Sequence, residues 1–141
     1  MYSNILNSMS GSIFMSKIPN ISDAEWIVME IIWKKKKVTA NEIIDNIKNK
    51  KTWNHRTVKT LLNRLLKKKI IKFAKKGRTY HYSAIIKKTD CQYDKSHTFL
   101  NNFFGGSLSP MIAALVTKKK LTDSEIKELK NILDLKKTDK K

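Results

Sequence analysis

The sequence predicts a mainly α protein with a small β-hairpin wing, in which a winged helix-turn-helix domain is followed by a domain of three helices. Three observations support this fold class. Helix-capping residues recur along the chain, an alternating basic segment built around one glycine follows the third helix, and the last third contains three short segments with apolar stripes. The order helix, helix, helix, hairpin is typical of a winged helix-turn-helix.

Three segments begin with a capping box, in which a Ser or Thr and a Glu three residues later satisfy each other's backbone N–H groups. They are SDAE at residues 22–25, TANE at residues 39–42 and TDSE at residues 122–125. The first predicts a helix over residues 23 to about 35, which is apolar on nearly all sides and should be buried on two of them. The second predicts a helix over residues 40 to about 48.

The third predicted helix starts at Asn54, whose side chain can cap it, and extends to about residue 69. One face is apolar and should join the core through Val58, Leu61, Leu62 and Leu65. The opposite face mixes cations with hydrogen-bonding side chains, namely Arg56, Lys59, Thr60, Asn63 and Lys67. By amphipathicity alone, such a helix could lie on an anionic membrane, dock into a partner or read DNA.

The segment after this helix predicts a short β-hairpin. IIKFA and TYHYSA alternate apolar and polar residues on either side of KKGR, which places Lys75, Lys76 and Arg78 at or near the tip. The two lysines alone would fit an ordinary surface turn, but Arg78 beside a basic helix favours contact with phosphates. Tyr80 and Tyr82 alternate with a histidine, so they are expected to pack under the wing and not to stack on bases.

The charge distribution favours a nucleic-acid partner. The chain has 141 residues and a net charge of +18, which suits nucleic acid, a membrane surface or an acidic protein. No carboxylate lies between Asp45 and Asp90, and the only arginines in the chain, Arg56, Arg64 and Arg78, all fall in that interval. A guanidinium group can bind phosphate or guanine through two hydrogen bonds, so this clustering points towards DNA.

The second helix of a helix-turn-helix places its N-terminal part in the major groove of double-stranded DNA. The third predicted helix holds that position here. The interpretation predicts base or groove contacts by Arg56, Thr57, Lys59 and Thr60, and backbone contacts by Asn63, Arg64, Lys67, Lys75, Lys76 and Arg78. Arg64 could instead pair internally with Glu42 or Asp45. Nonspecific nucleic-acid binding remains an alternative, whereas membrane insertion would need apolar residues that the core already uses.

Three further segments carry apolar stripes. The first, over residues 87–104, ends at Gly105 and Gly106, the second opens with Ser109 as N-cap and Pro110 as first helical residue, and the third follows the last capping box. Three helices of about fifteen residues or fewer cannot bury such stripes on one another, so a second copy should cover them in a C2 homodimer. The predicted dimerisation residues are Phe99, Leu100, Phe103, Phe104, Met111, Ile112, Leu115, Ile126, Leu129 and Leu133.

Several classes of site and segment are not expected. The single cysteine, Cys91, forms no internal disulfide, and with three scattered histidines it gives no metal-ligand spacing and no nucleophile beside a base. We therefore expect no metal, no cofactor, no small-molecule substrate and no enzymatic activity. The absence of a long apolar run and of a signal peptide favours a cytoplasmic location.

The predicted domain boundaries follow from these elements. Residues 1–17 are expected to be a disordered extension, or to lie upstream of the true start if translation begins at Met9 or Met15. Residues 18–86 form the predicted winged-helix DNA-binding domain, residues 87–136 the helical dimerisation domain, and residues 137–141 a charged tail.

The stretches ISDAEWIVMEIIW, VTANEII, WNHRTVKTLLNRLLKKKII and FAKKGRTYHYSA, together with DSEIKELKNIL, resemble the BlaI/MecI penicillinase-repressor family. The resemblance runs from about residue 18 to residue 135. It implies a homodimeric winged-helix transcription factor that binds an inverted-repeat operator with TACA/TGTA half-sites and represses antibiotic-resistance or stress genes. It also implies release of the operator when a membrane-bound sensor protease triggers cleavage in the dimerisation domain.

The resemblance also places a possible cleavage site. In the better-known members the cut bond is Asn-Phe, within the short helix after the paired glycines. The matching positions in this chain are Ala114 and Leu115, so cleavage here with a different specificity, cleavage elsewhere and no cleavage all remain open. Copper-responsive relatives end in a CxC metal motif, which this chain lacks.

Overall fold

The computed structural model describes residues 18–139. The predicted disorder of residues 1–17 lies outside the described residues. The chain divides into two compact units, one ending at Cys91 and the other beginning at Gln92.

The first unit has the element order that the sequence predicts. Its helices and strands are α1 (Asp23–Lys35), α2 (Ala40–Ile47), α3 (His55–Lys67), β1 (Ile71–Lys76) and β2 (Thr79–Ala84). The two strands form an antiparallel hairpin. This arrangement confirms a winged helix-turn-helix, with α3 as the second helix of the motif and the hairpin as its wing.

The predicted caps form as expected. Glu25 N donates to Ser22 Oγ over 3.1 Å while Ser22 N donates to Glu25 Oε1 over 2.8 Å, which closes the first capping box. The box at the start of α2 closes in the same way. Asn54 caps α3, because its Oδ1 accepts from Thr57 N at 2.9 Å. These bonds satisfy backbone N–H groups that the first turn of a helix leaves unpaired.

One continuous core joins the three helices to the wing. It contains Val28, Met29 and Ile32 of α1, Ile43 and Ile47 of α2, Val58, Leu61, Leu62 and Leu65 of α3, and Ile70, Ile71 and Tyr82. Beyond the fully buried face of α1, Trp26, Ile27 and Ile31 are half-buried and pack against the core, so the predicted burial on a second side is partial. Trp26 and Trp33 pack edge-on at 5.1 Å between ring centroids.

The conformation of the wing is determined by its turn, and its position by a pair of backbone hydrogen bonds to Val38. Gly77 has φ 63° whereas Arg78 has no positive φ, as in a two-residue type II′ turn. The register pairs Lys75 with Tyr80 and Phe73 with Tyr82. At the base of the wing Tyr82 exchanges two backbone hydrogen bonds with Val38, of 3.0 and 2.7 Å, which attach the hairpin to the segment between α1 and α2.

A partly buried ion pair connects α1 to the end of α3. Lys68, the C-cap residue of α3, donates to Glu25 Oε1 at 2.7 Å and to the Asn20 carbonyl at 2.7 Å. Burial alone would raise the pKa of the Glu25 carboxyl, but the hydrogen bonds from Lys68 and Ser22 outweigh it and hold the pKa below its ordinary value of 4.5. The carboxylate therefore stabilises the fold above about pH 4.5, and this contribution is lost as the pH falls through the lowered pKa.

Lys68→Met is expected to lower the free energy of unfolding by about 1–3 kcal/mol at neutral pH, because a buried carboxylate loses its charged donor. The Lys68 side chain is 32% exposed, so the larger cost of breaking a fully buried pair does not apply. Urea denaturation should show the difference from the unmodified chain shrinking as the pH is lowered below 4.5. The exposed Lys67→Met is the matched control, and an equal loss from both variants would contradict the assignment.

The remaining helices are α4 (Lys88–Phe104), whose first turn belongs to the first unit, and α5 (Leu108–Lys118) and α6 (Asp123–Asp139) of the second unit. Helix α4 ends at two glycines as predicted, with φ 57° at Gly105 and 82° at Gly106. Gly106 N donates to the Leu100 carbonyl at 3.1 Å and so closes the C-terminal end of the helix. The third capping box forms between Thr122 and Glu125 and opens α6.

Two details of this unit differ from the prediction. Helix α5 begins at Leu108 with Ser107 as N-cap, so the prediction of Ser109 as N-cap is wrong. Pro110 then lies in the first turn, where its missing N–H costs no intrahelical bond. Helix α4, with 17 residues, nearly fills the predicted segment 87–104, whereas α6, also with 17 residues, is longer than expected and continues to Asp139 with Lys136 and Lys137 favourably placed in its last turn.

Candidate nucleic-acid interface

Helix α3 separates its residues into two faces. The inner face packs into the core, where Val58, Leu61, Leu62 and Leu65 are all buried. The predicted DNA-contact residues on the other face are exposed, except for the half-buried Thr57; they are Arg56, Lys59, Thr60, Asn63, Arg64 and Lys67. No described residue forms an ion pair with Arg64, so its possible internal pairing with Glu42 or Asp45 is not found.

The two threonines of α3 use their hydroxyl protons within the helix. Thr57 Oγ1 donates to Asn54 Oδ1 at 3.2 Å, and Thr60 Oγ1 donates to the Arg56 carbonyl at 2.9 Å. Each hydroxyl still offers lone pairs, and each side chain offers a methyl group. As placed, the threonines can therefore accept from the amino groups of adenine or cytosine or contact a thymine methyl, but they do not donate.

A cleft of about 480 Å³ lies between α3, the start of α2 and the wing. Its walls include Thr39, Asn41, His55, Lys59, Lys75, Arg78 and Tyr80. The cleft brings together one predicted cation of α3 and two predicted cations of the wing. Lys76 is not among its lining residues, because side chains alternate along a strand and Lys76 lies on the opposite face of the hairpin from Lys75.

Tyr80 and Tyr82 have different environments. Tyr82 is 2% exposed and belongs to the core, as predicted. Tyr80 is 37% exposed, stacks on Phe73 at 4.7 Å between ring centroids, and carries the ammonium groups of Lys59 and Lys75 at 5.8 Å from its own centroid. Burial raises the pKa of the Tyr82 phenol. The role of Tyr80 beside the cleft was not predicted, because sequence alternation shows only that it shares a face with Tyr82.

Within residues 18–139, the cations of this surface form no ion pairs. The ion pairs within the described part of the chain are Lys68 with Glu25, Lys88 with Glu30 and Lys119 with Glu125, and none of them uses a predicted DNA-contact residue. The surface formed by the outer face of α3 and the inner face of the wing, here called the basic surface, is therefore free to attract a polyanion. Its binding should be strongly dependent on salt.

The second unit leaves its apolar side chains uncovered. The exposed fractions are 70% for Phe103, 62% for Leu133, 57% for Leu115 and 49% for Phe99. Ile112, Ile126 and Leu129 are also exposed, whereas Leu100, Phe104 and Met111 are half-buried. No residue of α5 is buried. The ten predicted dimerisation residues thus remain available to a covering surface, and the structure itself contains a single chain.

The possible cleavage position lies inside a helix. Ala114 and Leu115 are in the middle of α5, and both side chains are exposed. Thr117 Oγ1 donates to the Ala113 carbonyl at 2.6 Å on the same turn. A protease that binds an extended backbone would need this part of α5 to unwind first.

Residues 18–139 contain neither a candidate metal-binding cluster nor a single helix that could span a membrane. No group of three or more His, Cys, Asp or Glu side chains there could hold a metal ion. No single helix in the same range is long and apolar enough to cross a membrane; α4 and α5 together have the length and composition of one span, but they are bent by 90° at the break between them.

Comparisons with known proteins agree with the resemblance in the sequence. The penicillinase repressor profile matches residues 21–135. The penicillinase repressor of Bacillus licheniformis is 41% identical over 127 residues, which cover 90% of this chain and 99% of the relative. The methicillin resistance regulatory protein MecI of Staphylococcus aureus strain N315 is 39% identical over 121 residues, covering 86% and 98%.

A solved structure is similar to part of this chain. The solution structure of monomeric Bacillus licheniformis BlaI in complex with the blaP half-operator has 42% sequence identity, covers 54% of this chain and 93% of its own, and has a TM-score of 0.47. The family profile and the identities to full-length relatives settle the assignment: this chain belongs to the penicillinase repressor family.

Proposed function

We propose that this chain is a dimeric, sequence-specific transcriptional repressor that binds inverted-repeat operator DNA and controls β-lactam-resistance or related stress genes. The observation that carries the proposal is the basic surface, where a core-anchored helix presents Arg, Lys, Thr and Asn beside a basic wing. Relatives named as a penicillinase repressor and as a methicillin resistance regulatory protein support the choice of target genes.

The basic surface supports a division of roles. Arg56, Thr57, Lys59 and Thr60 lie in the first half of α3, which the motif places in the major groove, so they are the residues proposed for base or groove contacts. Asn63, Arg64, Lys67, Lys75, Lys76 and Arg78 are the proposed backbone contacts. Backbone contacts position the protein and base contacts specify the sequence, and both are needed for a repressor.

The exposed apolar side chains of α4, α5 and α6 support a homodimer. A palindromic operator presents two equivalent half-sites, and a C2 dimer presents two equivalent basic surfaces to them. Since its proposed ligand is operator DNA, the protein would act in the cytoplasm and would need no cofactor, substrate or catalytic group.

Cleavage in the second unit is the proposed route to release of the operator, with a membrane-bound sensor protease as the proposed trigger. Ala114 and Leu115 are the proposed position, by correspondence with the family. Their helical backbone implies that the protease acts on a locally unwound α5. Mass spectrometry of the chain isolated after β-lactam exposure would locate the cut. Derepression of the target gene while the chain stays uncut would contradict this route.

The experiment that tests the proposed function compares two duplexes of equal length and composition. One carries a TACA/TGTA inverted repeat and the other carries the same bases in scrambled order. Fluorescence anisotropy at a fixed physiological salt concentration should give an affinity about 10³-fold or more higher for the inverted repeat. Equal affinities, falling together as salt is raised, would mean nonspecific binding and would overturn the proposal.

A further inference from the structure

The ring of Tyr80 links the recognition helix to the wing through two lysines. Lys59 belongs to α3 and Lys75 to β1, yet their ammonium nitrogens are each 5.8 Å from the centroid of this one ring. Both distances are within the range in which the negative face of an aromatic ring attracts a cation. Phe73 stacks on the ring at 4.7 Å with 20° between the planes, which restricts how the ring can rotate.

The positions of these residues follow from the hairpin register. Lys75 is directly opposite Tyr80, and Phe73 is opposite Tyr82 and therefore diagonal to Tyr80. All four side chains lie on the face of the wing that leads to the core through the buried Tyr82. The ring is thus supported from below while Lys59 reaches it from α3.

A purely structural role does not account for this arrangement. Tyr80 is 37% exposed and Phe73 47% exposed, so the pair lies at the rim of a core that is already closed by Tyr82. Two ammonium groups gathered at one ring repel each other, and no described carboxylate forms an ion pair with either. Holding two flexible lysines also costs conformational entropy. An anion in the adjacent cleft, which both lysines line, would offset the repulsion.

We propose that Tyr80 is a positioning residue for DNA binding, whose ring holds Lys59 of the recognition helix and Lys75 of the wing at one cleft so that the two ammonium groups grip the same stretch of DNA backbone. This inference rests on the proposed function and deepens it. It assigns Lys59 to phosphate contact together with the wing, and it leaves base reading to Arg56 and the two threonines. The gain in affinity comes from lysines that are already ordered before DNA arrives.

The test uses Tyr80→Leu, which keeps an apolar side chain against Phe73 but removes the aromatic face, and Tyr80→Phe as its control. Tyr80→Leu should weaken binding to the inverted-repeat and scrambled duplexes alike, by roughly two- to tenfold for each lysine no longer held. Tyr80→Phe retains the aromatic face and should bind within about twofold of the unmodified chain.

A double-mutant cycle separates positioning from a merely structural role. If Tyr80 acts through the lysines, Tyr80→Leu should have almost no further effect in a chain that carries Lys59→Met and Lys75→Met. An undiminished effect in that background would overturn the inference, as would unchanged affinity of Tyr80→Leu in the native background. Should Tyr80→Leu lower the melting temperature, Tyr80→Met replaces it in the same cycle.

Failure of the inference about Tyr80 can be distinguished from failure of the proposed repressor function. Loss of preference for the inverted repeat in the unmodified chain would contradict the repressor, whereas the coupling between Tyr80 and the lysines is measured on either duplex. A coupling near zero with intact sequence preference would contradict only the role of Tyr80.

Discussion

Phe103→Asp is expected to lower the affinity of the chain for an inverted-repeat duplex by roughly a hundredfold or more, while its affinity for a single half-site stays unchanged. Linked binding of two half-sites raises the overall affinity by about 10²–10⁴, and this gain requires an intact dimer. Phe103 is 70% exposed in the single chain, so its replacement removes little packing within the protomer. A carboxylate buried without a partner in an apolar dimer interface would, however, be strongly unfavourable.

Asn102→Asp is the matched control, because it adds the same charge at the neighbouring exposed position of α4. Sedimentation should show a dimer for the control and a monomer for Phe103→Asp, with affinities for the inverted repeat that follow the oligomeric state. A Phe103→Asp chain that remains dimeric would remove this residue from the proposed interface. A monomeric native chain with full operator affinity would contradict the dimer altogether.

Arg56→Ala is expected to lower the affinity for the operator by about one order of magnitude or more and to relax the choice of base at one position in each half-site. A bidentate contact of a guanidinium group with guanine contributes about 1–3 kcal/mol of discrimination. Arg56 is suited to this contact because it is exposed near the start of α3 and has no ion-pair partner among the described residues.

Arg64→Ala provides the comparison, since it removes the same chemical group from the part of α3 assigned to the DNA backbone. It should weaken operator and scrambled duplexes by similar factors and reduce the salt slope by about one phosphate contact. Binding to a panel of single-base operator variants distinguishes the two substitutions. If Arg56→Ala also weakens every duplex equally, its assignment to base reading is wrong.

Local signals predicted the elements of this fold well. A capping box involves only two residues three positions apart. The starts of α1, α2 and α6 could therefore be predicted from Ser22, Thr39 and Thr122, each with the Glu that follows three residues later. The glycine-first turn of the wing and the paired glycines after α4 are similarly local. The incorrect N-cap of α5 shows the limit of such local signals. Proline is tolerated at several positions of the first turn, so its presence does not determine which residue is the N-cap.

Contacts between distant residues could not be predicted in the same way. Lys68 lies 43 residues from Glu25, and nothing in the sequence pattern pairs them. The place of Lys59 over Tyr80 depends on the angle between α3 and the wing, which periodicity does not determine. The half-burial of Trp26 and Ile31 likewise depends on what covers the outer side of α1, whereas composition reports only that the helix is apolar.

Selection of bound sequences from a pool of duplexes with a randomised centre tests the central claim most directly, because it assumes no operator in advance. The full chain at physiological salt should enrich a two-fold symmetric sequence whose half-sites lie about one helical turn apart or a multiple of it. The same selection with Phe103→Asp should recover single half-sites. A pool from the native chain that stays random after several rounds, despite retained binding, would contradict sequence-specific recognition by the basic surface.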